Sequence, residues 1–541
     1  MNDRRLGVSL SSPTLNIVPF DFATSLTMPG WRETVSWPIS HAQAFSTGRA
    51  SSRAFLGFMN GLADDPLRRV ALLAGGRLSV VSRAITEAAL CVQEEARTGI
   101  RLAGGPAELH ILRGEIPPSG VASWQANSPF KPMAAPRGVW LRRIARMASY
   151  TPLWRLPATL LAPTATAISH NSLLCAFARR SSERVGFRHA ELLLAEARRR
   201  RNGRLRHLDM TTLVDAVADL LACCEGLEEP FANRVRSLLL PLIQESLAQA
   251  AADLDALSAM PGLPVAMWSG SGGYYPSRAI GLEVQRRGGH VTRFSHSVLV
   301  GMMEVVETIV FTELAVSDRF VVETPALARN LAASEALGLV ANFNRPSVAG
   351  AAGCPGLHRL PLVSRRRPTR RKVVYAPTRL TGFRQFFPPV LPDVIYLDWQ
   401  FRLVEAMLTL PVELLCKPHP EGLLRGRPHP LGTIALTSTK RFEDVMGDAD
   451  VFVFDYAQTT PFCEVLCTDR PIVFIDMGIP LFAPSVRDML ERRCRIVKAW
   501  FDSRNLPHIE EAELKEAVCG GSDRADPGEF RALLMGEGIV A

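Results

Sequence analysis

Several short stretches of this sequence set polar side chains directly after apolar runs of strand length, where the loops of an α/β sheet face a ligand crevice. Leu414-Leu415-Cys416 runs into Lys417-Pro418-His419-Pro420, whose two prolines hold an ammonium and an imidazole in a stiff turn suited to an anionic ligand. Val373-Val374-Tyr375 runs into Ala376-Pro377-Thr378-Arg379, which offers a hydroxyl and a guanidinium. The run ending at Phe454 leads into Asp455-Tyr456-Ala457-Gln458, and Thr459 and Thr460 then open a helix. Threonine hydroxyls and free N–H groups at a helix start favour phosphate. Glu464 lies four residues after Thr460, about one turn deeper on the same face, where it can accept hydrogen bonds from a ribose or sugar. In the first half, Phe294-Ser295-His296-Ser297 places an imidazole directly after a strand, able near neutrality to take a proton from a hydroxyl. Gly270, Gly272 and Gly273 precede a helix as a phosphate or substrate loop, without the G-x-G-x-x-G spacing of a dinucleotide site. Each feature also has a plainer reading: a surface turn at Lys417–Pro420, a cap at Thr459, a first-turn acid at Glu464 and a structural imidazole at His296. No P-loop, G-x-S-x-G or H-E-x-x-H motif occurs.

The elements that must carry these residues alternate. In the last 170 residues, strands are expected near 372–376, 411–416, 432–436, 450–454, 471–475 and 494–497, with helices between, a pattern for a mostly parallel sheet covered on both faces. Upstream, a strand at Pro264–Trp268, the glycine turn, a helix from Pro276 to Arg287 and a strand at His290–Phe294 form a β-α-β unit, followed by a strand at Arg319–Val322 and a helix at Pro325–Leu337. Residues 344–371, rich in Gly, Pro and Arg, read as a linker, so that 66–343 and 372–541 form two α/β domains facing a crevice. Val70–Ala74 followed by Gly75-Gly76 reads as a strand and turn opening the first domain, with a helix after it to about Arg97. A Pro-rich interval runs from Pro117 to Pro163, and helical patterns at Leu173–Arg201 and Met210–Met260 read as a helical insertion spanning about 168–260. Residues 1–65 show no sustained period and read as an irregular lead-in.

The composition bounds the class. With 541 residues, 47% apolar and 21% charged, the chain is globular and long enough for two large α/β units. Its net charge of +9 comes with 56 Arg against six Lys, a mild bias toward anionic partners and no case for nucleic acid. The run Arg198–Arg206 is either a solvated helix end or a patch for an anionic membrane surface. Ten scattered cysteines without a C-x-x-C pair fit reduced thiols in a cytoplasm and no zinc site. Arg4 and Arg5 precede Ser9, Ser11, Ser12 and Pro13, which interrupt any signal-peptide core, and Leu156–Ala178 contains Pro157, Pro163, His170 and Asn171, which rule it out as a spanning helix. The expected location is cytoplasmic, at most peripheral on the inner membrane face.

Taken in order, the β-α-β ending in His296, Tyr375-Ala-Pro-Thr378, Lys417-Pro-His419-Pro and Asp450 through Pro471 resemble the GT-B type transferases of bacterial surface and capsule polysaccharides, a group related to the CDP-glycerol glycerophosphotransferases. Asp455-Tyr456 resembles the aspartate-tyrosine of the glycerophosphotransferases; Thr459-Thr460-x-x-x-Glu464 with Arg470-Pro471 resembles the S-T-x-x-x-E and later proline of capsule transferases. The resemblance covers roughly residues 260–500. It implies two Rossmann-like domains and transfer from a nucleotide-activated sugar or polyol donor, held by the C-terminal domain, to a hydroxyl of a polysaccharide or lipid-linked acceptor. By matching positions, His296 is the base and His419 with Lys417 stabilises the leaving phosphate. Thr459 and Thr460 hold donor phosphates, Glu464 holds the donor's sugar, Asp455 belongs to the donor site, and Thr378 with Arg379 lines the cleft. Cationic side chains and helix dipoles can carry the developing charge, so neither metal nor cofactor is expected. The chain departs from the pattern at Ser297, where the family has glycine, and at Ala457-Gln458, where it has a serine pair; Ala457 cannot donate a hydroxyl hydrogen bond, which favours a nucleotide sugar over a glycerophosphate donor. Two other readings remain open: a nucleotide-sugar 2-epimerase of the same architecture, and a non-catalytic polysaccharide-assembly or binding protein.

Overall fold

Twelve of the sixteen described strands form two six-stranded sheets in which every pairing is parallel, as expected where helices cover both faces. The computed structural model describes residues 16–117, 139–200, 209–340, 345–357, 370–382, 390–521 and 524–536. Strand β1 (Asn16–Pro19) pairs in parallel with β2 (Ile100–Ala103). The first large sheet comprises β3 (Ala165–Ala167), β4 (Val185–Phe187), β5 (Ala266–Ser269), β6 (His290–Phe294), β7 (Arg319–Val322) and β8 (Ser347–Gly350), ordered β4-β3-β5-β6-β7-β8. The second comprises β9 (Arg371–Tyr375), β10 (Val412–Cys416), β11 (Leu436–Thr437), β12 (Val451–Phe454), β13 (Ile472–Asp476) and β14 (Arg495–Lys498), ordered β11-β10-β9-β12-β13-β14. A small hairpin, β15 (Trp500–Phe501) with β16 (Pro507–His508), follows. Two six-stranded parallel sheets with helical crossovers make a Rossmann-like pair.

Several expectations are corrected. Val70–Ala74 is not a strand: it lies inside one helix, Asp65–Thr98, capped by Asp64 and stopped at Gly99 in the left-handed conformation. A short apolar run does not distinguish strand from buried helix, and the glycine that looked like a turn is a packing site: a Cβ on Gly75 would lie 3.3 Å from the Phe55 ring. Residues 16–65 are not irregular, since β1 and the helices Phe22–Thr27, Trp31–Thr34 and His41–Gly61 occupy them. The 168–260 insertion is not purely helical: β4 interrupts it and joins the first sheet, and β3 lies just before it, after the end of the Pro-rich interval. The 344–371 stretch contributes β8 as an edge strand; its residues 358–369 lie outside the described residues, as do 118–138, the N-terminal Arg4–Pro13 and Arg201–Arg206. The 432–436 strand shrinks to β11 behind a 3-10 turn at Pro430–Thr433.

The two sheets meet through loops at their carboxyl ends. After β6, the backbone of Met302 and Glu304 bonds to Ala483 and Leu481, which follow β13, and Met303 bridges Phe482. The last described helix, Gly528–Met535, returns to the first unit, where Thr324 Oγ1 donates to the Leu533 carbonyl at 2.6 Å and the Cys354 N–H to that of Leu534. The N-terminal segment ties the other side: Arg32 pairs with Asp398 and Glu405 on the helix Asp393–Leu408, and Asn505 Nδ2 donates to the Trp37 carbonyl. One apolar cluster runs through both sheets.

Candidate functional site

A cavity of about 350 Å³ opens at the carboxyl ends of β9, β10, β11 and β12. Its lining joins Lys417, His419, Thr459, Thr460 and Glu464, all read from the sequence, with Thr439, Lys440, Arg441 and Glu443, which were not. Phe442, which lines the cavity, belongs to a chain of ring contacts through Phe452, Phe454, Phe462 and Phe474 in the core beside it. Lys417 is buried, its Nζ donating to its neighbour's carbonyl at 3.1 Å and to no other group among the described residues, and burial lowers its pKa. His419 Nδ1 accepts the Glu421 N–H at 3.1 Å, so the neutral ring carries its proton on Nε2 and can donate it; burial, then Arg379, lowers its pKa. Thr459 caps the helix Thr460–Leu466 through the Phe462 N–H at 3.3 Å, so its hydroxyl hydrogen remains to be donated. Glu464 is held near neutrality: burial, reinforced by Glu443, pushes it up to about 7. Arg441 pairs with Glu443 at 2.7 Å at the rim. A second cavity, of about 480 Å³, lies on the other side of the Lys417–Pro420 turn and includes Arg427 and His429, whose burial lowers its pKa to about 4.

Asp455 is not in that cavity. It is buried, and its carboxylate accepts from Tyr375 Oη at 2.6 Å, Tyr396 Oη at 2.9 Å and Trp399 Nε1 at 3.0 Å. With each oxygen accepting from a buried side chain, it braces the strand ends. Burial raises its pKa, opposed by those three donors. Thr378 belongs to the same brace, its N–H donating to Tyr396 Oη at 2.9 Å, while Arg379 pairs with Glu421 at 3.4 Å. Neither lines the cavity, where Ala376 and Pro377 stand instead. A strand-end position shows that a residue is near the crevice, not that its side chain turns into it.

On the opposite sheet, His296 stands exposed after β6, with Nδ1 3.3 Å from Glu313 Oε1. Glu313 is fully buried, its Oε2 accepts the Gly272 N–H at 2.7 Å, and Oε1 has no hydrogen-bond partner among the described residues, so the contact with the imidazole is an ion pair off the hydrogen-bond angle. The carboxylate raises the His296 pKa. Two buried guanidiniums, Arg278 and Arg293, stand in the same field: Arg293 donates to carbonyls and to the hydroxyls of Ser269 and Ser277, and Arg278 donates to carbonyls while its Nε has no hydrogen-bond partner among the described residues. The glycine loop is a positioning device: a Cβ at Gly272 would meet the Thr312 carbonyl at 2.2 Å and Glu313 Oε2 at 2.6 Å, and one at Gly270 would meet the Asn171 backbone at 2.8 Å. Gly273 has room for a side chain at ordinary contact distance. Asn171 closes the rim by donating to the carbonyls of Gly270, Phe294 and Ser295. Glu323, which follows β7, is also near His296, and burial raises its pKa to about 8. Glu313 and Glu323 escaped sequence reading; the available signal was a single acid inside an apolar run, Ile309-Val310-Phe311-Thr312-Glu313-Leu314 and Phe320-Val321-Val322-Glu323.

Cys354 and Cys463 each feel the charges of both Glu323, beside His296, and Glu464, in the cavity. Among the described residues, no group of three or more His, Cys, Asp or Glu is placed to hold a metal ion, and no helix is long and apolar enough to cross a membrane. No family model matches this chain, and no curated protein matches it.

Proposed function

We propose that the protein is a GT-B type transferase that moves a sugar, or a polyol phosphate, from a nucleotide-activated donor to a hydroxyl of a cell-surface polysaccharide or lipid-linked acceptor. The observation that carries this reading is the cavity at the second sheet, lined by two ammonium groups, a guanidinium, one imidazole N–H and three threonine hydroxyls beside two carboxyls. Such a set suits a diphosphate next to a hydroxyl-bearing ring: cations and donors take the phosphate oxygens, and Glu464 accepts from ring hydroxyls. Opposite it, Glu313 holds the Nδ1 side of His296, leaving Nε2 to remove the acceptor's proton as the acceptor oxygen attacks and the nucleotide phosphate departs. Lys417 and the Nε2–H of His419 stabilise the charge on that leaving group, without a metal.

Release of free nucleotide from a panel of CMP-, CDP-, UDP- and GDP-activated sugars and polyols, with and without polysaccharide or lipid extracts and with EDTA present, tests this. The expected result is acceptor-dependent release from one donor class, lowered about 10²- to 10⁴-fold in His296→Ala, the usual contribution of a general base. Release that occurs only with a divalent ion, or at the wild-type rate in His296→Ala, would count against it. The three carboxyls Glu313, Glu323 and Glu464 around the cleft favour, as a second reading, a nucleotide-sugar 2-epimerase, in which the donor alone is converted to an isomer without acceptor.

A further inference from the structure

The positive charge of this chain is concentrated. Between Glu115 and Glu183 the sequence has no acidic residue, while Lys131, Arg137, Arg142, Arg143, Arg146, Arg155, Arg179 and Arg180 contribute eight positive charges, against a net +9 for the whole chain. The described part of this stretch begins with the helix Val139–Tyr150, continues through the 3-10 turn Leu153–Arg155 and ends with the helix Leu156–Leu161; both helices pack against the edge strand β4. The inner side is anchored by Met147, Tyr150 and Thr159. The outer side is apolar and exposed among the described residues: Leu141, Leu153, Trp154 and Leu161 are 67 to 87% exposed, and Leu160 joins them. Around them, Arg142, Arg143 and Arg146 are exposed, Arg155 lies over the Trp154 ring at 4.5 Å, and none of these four pairs with a carboxylate among the described residues.

Water alone does not favour such a surface. Exposed Trp and Leu gain from transfer into an acyl boundary, and unpaired guanidiniums at the same level gain from lipid phosphates. The basic run that the sequence offered for membrane contact behaves differently where it is described: Arg198 is tied to buried Asp253 at 2.7 Å and Arg200 pairs with Glu196. We propose that residues 139–161 are an interfacial docking surface for a bilayer with anionic headgroups, the apolar side chains entering the headgroup boundary and the arginines binding lipid phosphates. The surface leads to the cleft: Tyr150, at the end of the first helix, bonds His170 Nδ1 at 3.0 Å, and the adjacent Asn171 holds the loops beside His296. A bilayer seated here lies on the acceptor side of the molecule. The inference goes beyond the transferase reading and stands without it, because it rests on the surface alone.

The test is co-flotation of the full chain with vesicles of pure phosphatidylcholine and with vesicles containing about 30% phosphatidylglycerol, without nucleotide, at low and high salt. The wild type is expected to float with the anionic vesicles and to be released by salt. Trp154→Ser with Leu161→Ser, and separately Arg142→Gln with Arg143→Gln, are each expected to weaken binding by about tenfold or more. These side chains are exposed, so unchanged melting curves are expected to accompany the loss. Absence of wild-type binding to anionic vesicles, or full binding by both variants, overturns the proposal. So does vesicle-independent self-association that the Trp154→Ser variant abolishes, which would assign the patch to a second copy of the chain.

Discussion

At the scale of single residues, the proposed transfer depends on two groups held away from their ordinary pKa values. Glu313 raises His296 above the ordinary imidazole value, and burial raises Glu464 to about 7. A base works only when neutral, so transfer should rise with pH along a limb set above the ordinary imidazole value. Glu313→Gln removes the charge that stabilises the imidazolium, and the limb of kcat/KM against pH is expected to move to lower pH; an unmoved limb would show that the pair does not set the base. Glu464 gives a second, independent sign. Its folded-state pKa exceeds the ordinary 4.5, so the fold retains that proton, and the contribution to stability is fully present below about pH 4.5 and is lost as pH rises through about 7. Glu464→Gln is therefore expected to raise stability at pH 8, by up to ~3 kcal/mol on the scale of 1.36 kcal/mol per pKa unit, and to leave it nearly unchanged at pH 4, as read by urea titration at both pH values.

At the scale of elements, the loops at the carboxyl ends of the strands hold the site, and the buried brace under β9 and β12 holds the loops. Asp455→Asn keeps the shape but turns one acceptor oxygen into a donor facing Tyr375, Tyr396 or Trp399, and a mispaired buried group costs about 1–3 kcal/mol. The variant should melt several degrees lower, with its loss of activity tracking the unfolded fraction; normal melting with lost donor affinity would return Asp455 to the donor site. This is where sequence reading stopped. Strands β5 to β7, β9, β10 and β12 to β14 were legible because short buried apolar runs are bounded by turn residues, and the cavity residues Lys417, His419, Thr459, Thr460 and Glu464 were legible because they follow such runs. Asp455 was read as a donor-site residue from its place at a strand end, and its bonding to Tyr375, Tyr396 and Trp399 was not legible because chain position carries no information about which way a side chain turns. Glu313 was missed because it sits in an apolar run with no motif. The helix Asp65–Thr98 was split because a glycine at a helix contact and a glycine in a turn look alike, and β3 because three residues give no period.

At the scale of the whole molecule, two parallel sheets present their carboxyl ends to each other, and the chain secures that arrangement twice, through the N-terminal segment at Arg32 and Trp37 and through the returning helix Gly528–Met535. The arrangement places a cavity of donors and cations on one unit and a carboxylate-paired imidazole on the other, with Cys354 and Cys463 in the field of both. The central claim is that the second unit binds a nucleotide-activated donor through its diphosphate. Calorimetric titration of CMP, CDP, UDP and GDP into the full chain in EDTA tests it most directly, alongside His419→Ala and Arg441→Gln. One nucleotide is expected to bind the wild type selectively and to lose about tenfold in affinity or more in His419→Ala, where a hydrogen bond to a charged phosphate is removed. Binding of none of the four, or equal binding by wild type and both variants, would contradict it.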